Sequence, residues 1–104
     1  MAQVEFKPFI PYDYESLTVG SAVVSLTSSK FASLASLSLR AFITLESAPI
    51  RFRIDGAGNP TATEGHLLET NQNLMLEGYE CLNQFRAIRT TGVDGILKIT
   101  YEKQ

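Results

Sequence analysis

The sequence is poor in the residues that most metal sites and covalent active sites require. It contains one cysteine, Cys81, and one histidine, His66, among 104 residues. A single thiol excludes an intrachain disulfide, which fits folding in a reducing compartment. A single imidazole excludes motifs built on two histidines. We interpret Cys81 as a buried thiol and His66 as a loop or interface residue, while a Cys–His pair assembled by the fold stays open.

Other absences narrow the function classes further. There is no tryptophan to stack on a sugar, and no apolar run of about 20 residues that could span a bilayer. Nine basic and eleven acidic residues give a net charge of −2 without basic runs, which disfavours nucleic-acid and membrane partners. Gly56-Ala57-Gly58 lacks the third glycine of a dinucleotide loop. The acidic residues Asp55, Glu64 and Glu69 match no calcium loop. We therefore expect no cofactor, no metal and no enzymatic activity.

Residues 1–13 differ in composition from the rest of the chain. Pro8 and Pro11 oppose a helix or a central strand, because proline lacks a backbone donor and holds its predecessor in extended geometry. The segment is nevertheless too apolar for a free tail. We predict an extended N-terminal arm over residues 1–13, ahead of a β-sandwich domain over 14–104. The arm either wraps over its own domain or docks on a neighbouring subunit. Its candidate contact residues are Phe6, Phe9, Ile10 and Tyr12.

The remainder of the chain carries short segments in which apolar and polar residues alternate, as in strands buried on one face. The pattern is strongest in Leu39–Glu46, where Ala41, Ile43 and Leu45 share a face. Turns rich in glycine, proline and asparagine separate the segments. Seven or eight such strands predict an all-β fold, an antiparallel β-sandwich with barrel-like character. The predicted strands cover residues 14–19, 21–27, 39–46, 50–55, 74–77, 81–90 and 96–102.

Two pairs of consecutive strands are predicted to form hairpins. Residues 39–46 turn through Ser47-Ala48-Pro49 into 50–55, and residues 81–90 turn through a glycine-containing loop into 96–102. The serine-rich residues 28–38 predict either a short helical turn or an irregular crossover. Phe85 and Ile88 are both expected in the core, and their spacing predicts a bulge.

Arginines cluster on the predicted strands. Arg51 and Arg53 alternate with Ile50, Phe52 and Ile54, so they should lie on the solvent face of their strand. One interpretation is a solvated sheet face with cross-strand pairs to Glu46 or Asp55. The other is an arginine-lined protein contact, because arginine is favoured at interfaces. The candidate contact residues of this second surface are Arg51, Arg53, Asp55 and His66.

Seven segments between Arg40 and Tyr101 carry a resemblance to a known protein family. They are Arg40–Glu46, Ala48–Arg53, Asp55–Gly56, Pro60–Thr63, Gly65–His66, Phe85–Arg89 and Leu97–Tyr101. In these segments the sequence resembles a family of small structural proteins of tailed bacteriophages. The family often carries tyrosine where Phe52 stands, and a shorter loop than Gly56–Asn59. The resemblance spans about two thirds of the chain and includes no catalytic motif.

The resemblance implies a virion component that is made in the host bacterial cytoplasm. Among such components, a capsid cement or decoration protein fits a small β-domain that works through repeated contacts. Its expected partners are the major capsid protein, other virion subunits and further copies of itself. The alternatives are a tail or head–tail junction component and, from another class, a host-surface or glycan-binding module.

Overall fold

The computed structural model describes residues 8–104, which form two four-stranded antiparallel sheets. A helix, α1 (Tyr79–Gln84), and two 3-10 turns, Ser28–Lys30 and Ala32–Leu34, connect some of the strands. The predicted all-β sandwich is therefore confirmed. The strands are β1 (Ile10–Val19), β2 (Val24–Ser25), β3 (Leu39–Glu46), β4 (Ile50–Arg53), β5 (His66–Leu68), β6 (Asn73–Glu77), β7 (Arg86–Arg89) and β8 (Gly95–Lys103).

The two sheets differ in strand length. Sheet A has the order β1-β8-β3-β6, with the long strand β8 between β1 and β3. Sheet B has the order β2-β7-β4-β5 and is made of shorter strands. Consecutive strands mostly lie in different sheets, so the chain crosses repeatedly from one sheet to the other.

The core lies between the sheets and comes from the alternating residues of the long strands. Ala41, Ile43 and Leu45 of β3 are at most 1% exposed, as predicted. In β8 the residues Leu97, Ile99 and Tyr101 are each 0% exposed. Sheet B contributes buried side chains that include Ile50, Phe52 and Ala87. Period-two alternation correctly identified the inner face because each strand has one wet side.

Both predicted hairpins are wrong, because each pair of consecutive strands is divided between the two sheets. After β3 the chain turns at Ser47, which has a positive φ of 80°, and enters sheet B. After β7 it returns to sheet A through residues 90–94. Thr90 Oγ1 donates to the carbonyl of Pro49 at 3.1 Å and ties the two crossings together. A short glycine- or proline-containing connection suits a hairpin and a sheet crossing equally well.

The strand predicted over residues 81–90 is wrong in its first part, where the chain forms α1. Tyr79 and Leu82 lie three residues apart and share one helical face. Leu82 is 1% exposed, and the Tyr79 ring meets Phe31 edge-on at 5.9 Å between centroids. The strand β7 begins only at Arg86; Phe85 just before it is 0% exposed, as predicted, and β7 pairs with its neighbours without the predicted bulge. Ile88 is half-buried and lies on the outer face of sheet B rather than in the core.

Three further boundaries differ from the predictions. The first strand begins at Ile10, inside the predicted arm, because an edge strand tolerates Pro11 and a bulge between Pro11 and Asp13 absorbs the irregularity. The strand predicted over 21–27 shortens to β2, and the serine-rich segment 28–38 contains the two 3-10 turns. His66 belongs to the edge strand β5, not to a loop.

Candidate interaction surfaces

Two of the arm residues proposed for partner contact are engaged with their own domain. The Phe9 ring lies over the Arg40 guanidinium of β3, 3.9 Å from Cζ to the ring centroid. The Tyr12 ring packs beside Tyr101 at 6.4 Å between centroids, and its hydroxyl donates to the carbonyl of Lys30 at 2.7 Å. Ile10 is 55% exposed and free for contact. Phe6 lies outside the described residues.

The outer edge of β1 is held by polar contacts to the segment that follows β2. Glu15 accepts hydrogen bonds from the Thr27 backbone and hydroxyl, and also from the Tyr101 hydroxyl. Burial and the Glu15 carboxylate raise the pKa of Tyr101 far above its ordinary value. Lys30 Nζ donates to Asp13 at 3.1 Å, and hydrogen bonds from the Tyr14 backbone and Lys30 lower the pKa of Asp13. These contacts cover much of an edge that could otherwise pair with another strand.

The outer face of sheet A carries an exposed apolar row that the sequence analysis missed. Tyr14 of β1 pairs with Thr100 of β8, which pairs with Phe42 of β3, which pairs with Met75 of β6. Tyr14 is 55% exposed, Phe42 38% and Met75 40%. We call these four residues, of which Thr100 is the one polar member, the apolar row. Alternation in β3 was a sufficient signal for Phe42, because inward Ala41 requires its neighbour to point outward.

Polar residues border the apolar row on both sides. On one side Lys98 Nζ donates to the Ser16 hydroxyl at 3.0 Å. On the other side Arg40 forms an ion pair with Glu102, beneath the Phe9 ring. An apolar centre between polar borders is the usual anatomy of a protein–protein contact.

The predicted contact residues of the second surface lie on sheet B and the loop after β4. Arg53 donates twice to the Asp55 carboxylate, at 2.9 Å from Nε and 2.6 Å from Nη2. This bidentate pair lowers the pKa of Asp55 and raises the pKa of Arg53. Arg51 instead donates to the carbonyl of Gly65 at 3.0 Å. The predicted pairing to Asp55 is thus confirmed for Arg53, within one strand end rather than across strands.

His66 comes close to the same surface from the neighbouring strand. It pairs with Phe52 in register, and the two rings lie 5.4 Å apart between centroids. His66, Arg53 and Asp55 line one surface depression together with Glu64. The structure therefore brings three of the four predicted residues of this surface together, while Arg51 lies beside them on the outer face of β4. Cys81 lies apart on α1 and is half-buried.

The arginines of the described chain fall into two groups. Three form ion pairs with carboxylates: Arg40 with Glu102, Arg53 with Asp55, and Arg89 with Asp94. Within residues 8–104, Arg51 and Arg86 form no such pair. Both belong to the outer face of sheet B. Arg86 donates to the carbonyls of Asn83 and Phe85, at 3.0 and 2.7 Å.

In the range 8–104, no three histidine, cysteine, aspartate or glutamate side chains gather where they could hold a metal ion. None of the helices there is long and apolar enough to cross a membrane. Comparison with known proteins found no matching family model, no matching curated protein and no matching solved structure. The functional interpretation therefore depends on the chain's own surfaces and on the resemblance of the quoted segments.

Proposed function

We propose that this chain is a non-enzymatic structural protein of a tailed-bacteriophage particle, serving as a capsid cement or decoration protein. The observation that carries the contact role is the apolar row, which crosses all four strands of sheet A. Contiguous exposed apolar surface marks an interaction site, because water contact with it is unfavourable. The resemblance of the segments between Arg40 and Tyr101 supports the assignment to a virion.

The geometry of sheet A suits repeated contact with a flat protein surface. Its strands are spaced by about 4.8 Å, so four strands present a face about 14 Å across. A contact of that size is small, and one copy would bind weakly. Many copies related by particle symmetry, in contact with each other and with the shell, would together stabilise the particle far more than one contact does.

The first test is the copy number of the chain in purified particles of the virus that encodes it, measured by quantitative mass spectrometry. A copy number comparable to that of the major capsid protein is the result expected for a cement protein. A copy number as low as that of a single ring of subunits would indicate the neck or tail instead. Its absence from washed particles would overturn the virion proposal.

The second test asks whether the apolar row forms the contact. Phe42→Glu places a charge in the centre of the row, whereas Thr44→Glu places the same charge on the same strand, one row away. We expect Phe42→Glu to abolish binding to particles that lack the protein, and Thr44→Glu to leave it nearly unchanged. Circular dichroism and thermal unfolding check that both variants fold. Equal binding by the two variants would contradict the role of the row.

A further inference from the structure

The outer face of sheet B combines positive charge and apolar side chains in one register. Arg51 lies between Leu67 of β5 and Ile88 of β7, and Arg53 lies directly opposite Arg86. We call these five residues the arginine face. We propose that it binds an extended acidic segment of a partner protein, with carboxylates at alternate positions. The proposal rests on the contact role proposed above and adds the chemistry of the partner.

In the free protein the arginine face contains repulsion between like charges. Like charges directly opposite each other on neighbouring strands destabilise a sheet. Asp55 neutralises Arg53, but within residues 8–104 Arg86 makes its hydrogen bonds only to main-chain carbonyls. Arg51 likewise donates only to a main-chain carbonyl within that range, the one of Gly65. A partner carboxylate would offset the repulsion and give each of these two guanidinium groups an anionic acceptor in addition to its main-chain carbonyls.

The spacing of Arg51 and Arg86 also favours an extended segment. Arg51 and Arg86 are diagonal neighbours across β4 and β7, because Arg51 pairs with Ile88, two residues beyond Arg86. Diagonal neighbours of this kind are separated by about 7–8 Å. Alternate residues of an extended strand lie about 7 Å apart on one face. A Glu-x-Glu or Asp-x-Asp segment therefore has about the same side-chain spacing along its backbone as Arg51 and Arg86 have across the two strands.

The side chains around the arginines limit where such a segment can lie. Leu67 is 42% exposed and Ile88 is half-buried, so both can accept apolar side chains of the same segment. The carboxylates of Asp55 and Glu64 lie close to Arg53, and Asp55 already neutralises it. The carboxylates of the partner segment should therefore pair with Arg51 and Arg86. The face presents no aromatic ring for base stacking, which favours a protein over a single-stranded nucleic acid.

The experiment measures fluorescence anisotropy of labelled ten-residue peptides on the full chain. The probe has a Glu-Val-Glu centre, one control has Gln-Val-Gln, and a second control has Glu-Val-Val-Glu. We expect the first peptide to bind most tightly, and its affinity to fall as salt increases. Arg86→Gln should reduce that affinity about tenfold, as expected for loss of a charged hydrogen bond. Arg89→Gln, on the same strand as Arg86 but already paired with Asp94, is the matched control and should change nothing.

Equal binding of the glutamate and glutamine peptides would overturn the proposal, as would equal binding by Arg86→Gln and the parent chain. Tighter binding of a single-stranded oligonucleotide than of any peptide would also overturn it. Equal affinities for the Glu-Val-Glu and Glu-Val-Val-Glu peptides would contradict the extended conformation proposed for the bound segment. All these outcomes are independent of the particle tests, because the peptide assay uses the isolated protein and leaves the apolar row intact.

Discussion

Gly95 gives the sharpest stability prediction. It begins β8 opposite Val19, in a space between the two sheets that is already filled. A Cβ built on it would lie 2.6 Å from Cγ2 of Ile50 and 2.9 Å from the carbonyl oxygen of Ala48. Real Cβ atoms do not approach other atoms this closely, so Gly95→Ala must displace a core side chain and a crossing segment.

The loss of stability expected for Gly95→Ala depends on which neighbouring atoms must move. Inserting a methyl group into a packed core costs about 1–3 kcal/mol. One of the two close atoms belongs to the backbone, so we expect the upper half of that range, about 2 kcal/mol or more. For a domain of this size, about 2 kcal/mol lowers the unfolding temperature by about 10 °C.

Gly92 provides the matched control, because it lies three residues away and a Cβ there would meet no atom within 4 Å. Gly92→Ala should leave the unfolding free energy unchanged, or raise it by about 0.5 kcal/mol through a less flexible unfolded chain. Urea titration at 25 °C measures both variants against the parent. Equal stabilities of the two alanine variants would refute the packing argument at Gly95.

Three other predictions concern single side chains. The pKa of Tyr101 is raised in the folded state, so the unfolded chain loses this proton first, and stability should fall as pH rises above about 10; Tyr101→Phe should flatten that part of a pH–melting curve, and an unchanged slope would contradict the assignment. Phe9→Leu removes the ring from Arg40 and should lower the free energy of unfolding by about 0.5–1 kcal/mol in urea titrations, and an unchanged value would contradict a stabilising role for this stacking. Leu82→Ala should cost about 2–5 kcal/mol, whereas Leu67→Ala on the exposed face should cost far less, and similar costs would mean that α1 does not anchor on the core.

The strand content was predictable because it depends on local alternation. In Leu39–Glu46 every second residue is apolar, and only a strand with one buried face satisfies that pattern. The same alternation occurs in β8, where Leu97, Ile99 and Tyr101 are buried in the core. The prediction failed over residues 81–84, which belong to α1, where Leu82 shares a helical face with Tyr79 three residues earlier.

The candidate surfaces were likewise predictable where they depend on one strand, and not where they depend on the pairing of distant strands. Alternation placed Arg51 and Arg53 on a solvent face. Asp55, one of the two acids considered for cross-strand pairs, does pair with Arg53, but within the same strand end. The opposition of Arg53 and Arg86 could not be predicted, because it depends on the register between strands that are distant in sequence. The apolar row likewise exists only once four strands align.

The sequence by itself determined the class of the fold, the inner face of each long strand and the residues free to point outward, because side-chain direction follows from a local period of two. The tertiary structure decided which strands are neighbours. Residues 39–46 and 50–53 are consecutive, yet they lie in different sheets. Pairing depends on how the two sheets bury their common core, which is a property of the whole chain. The apolar row and the arginine face both arise from that pairing.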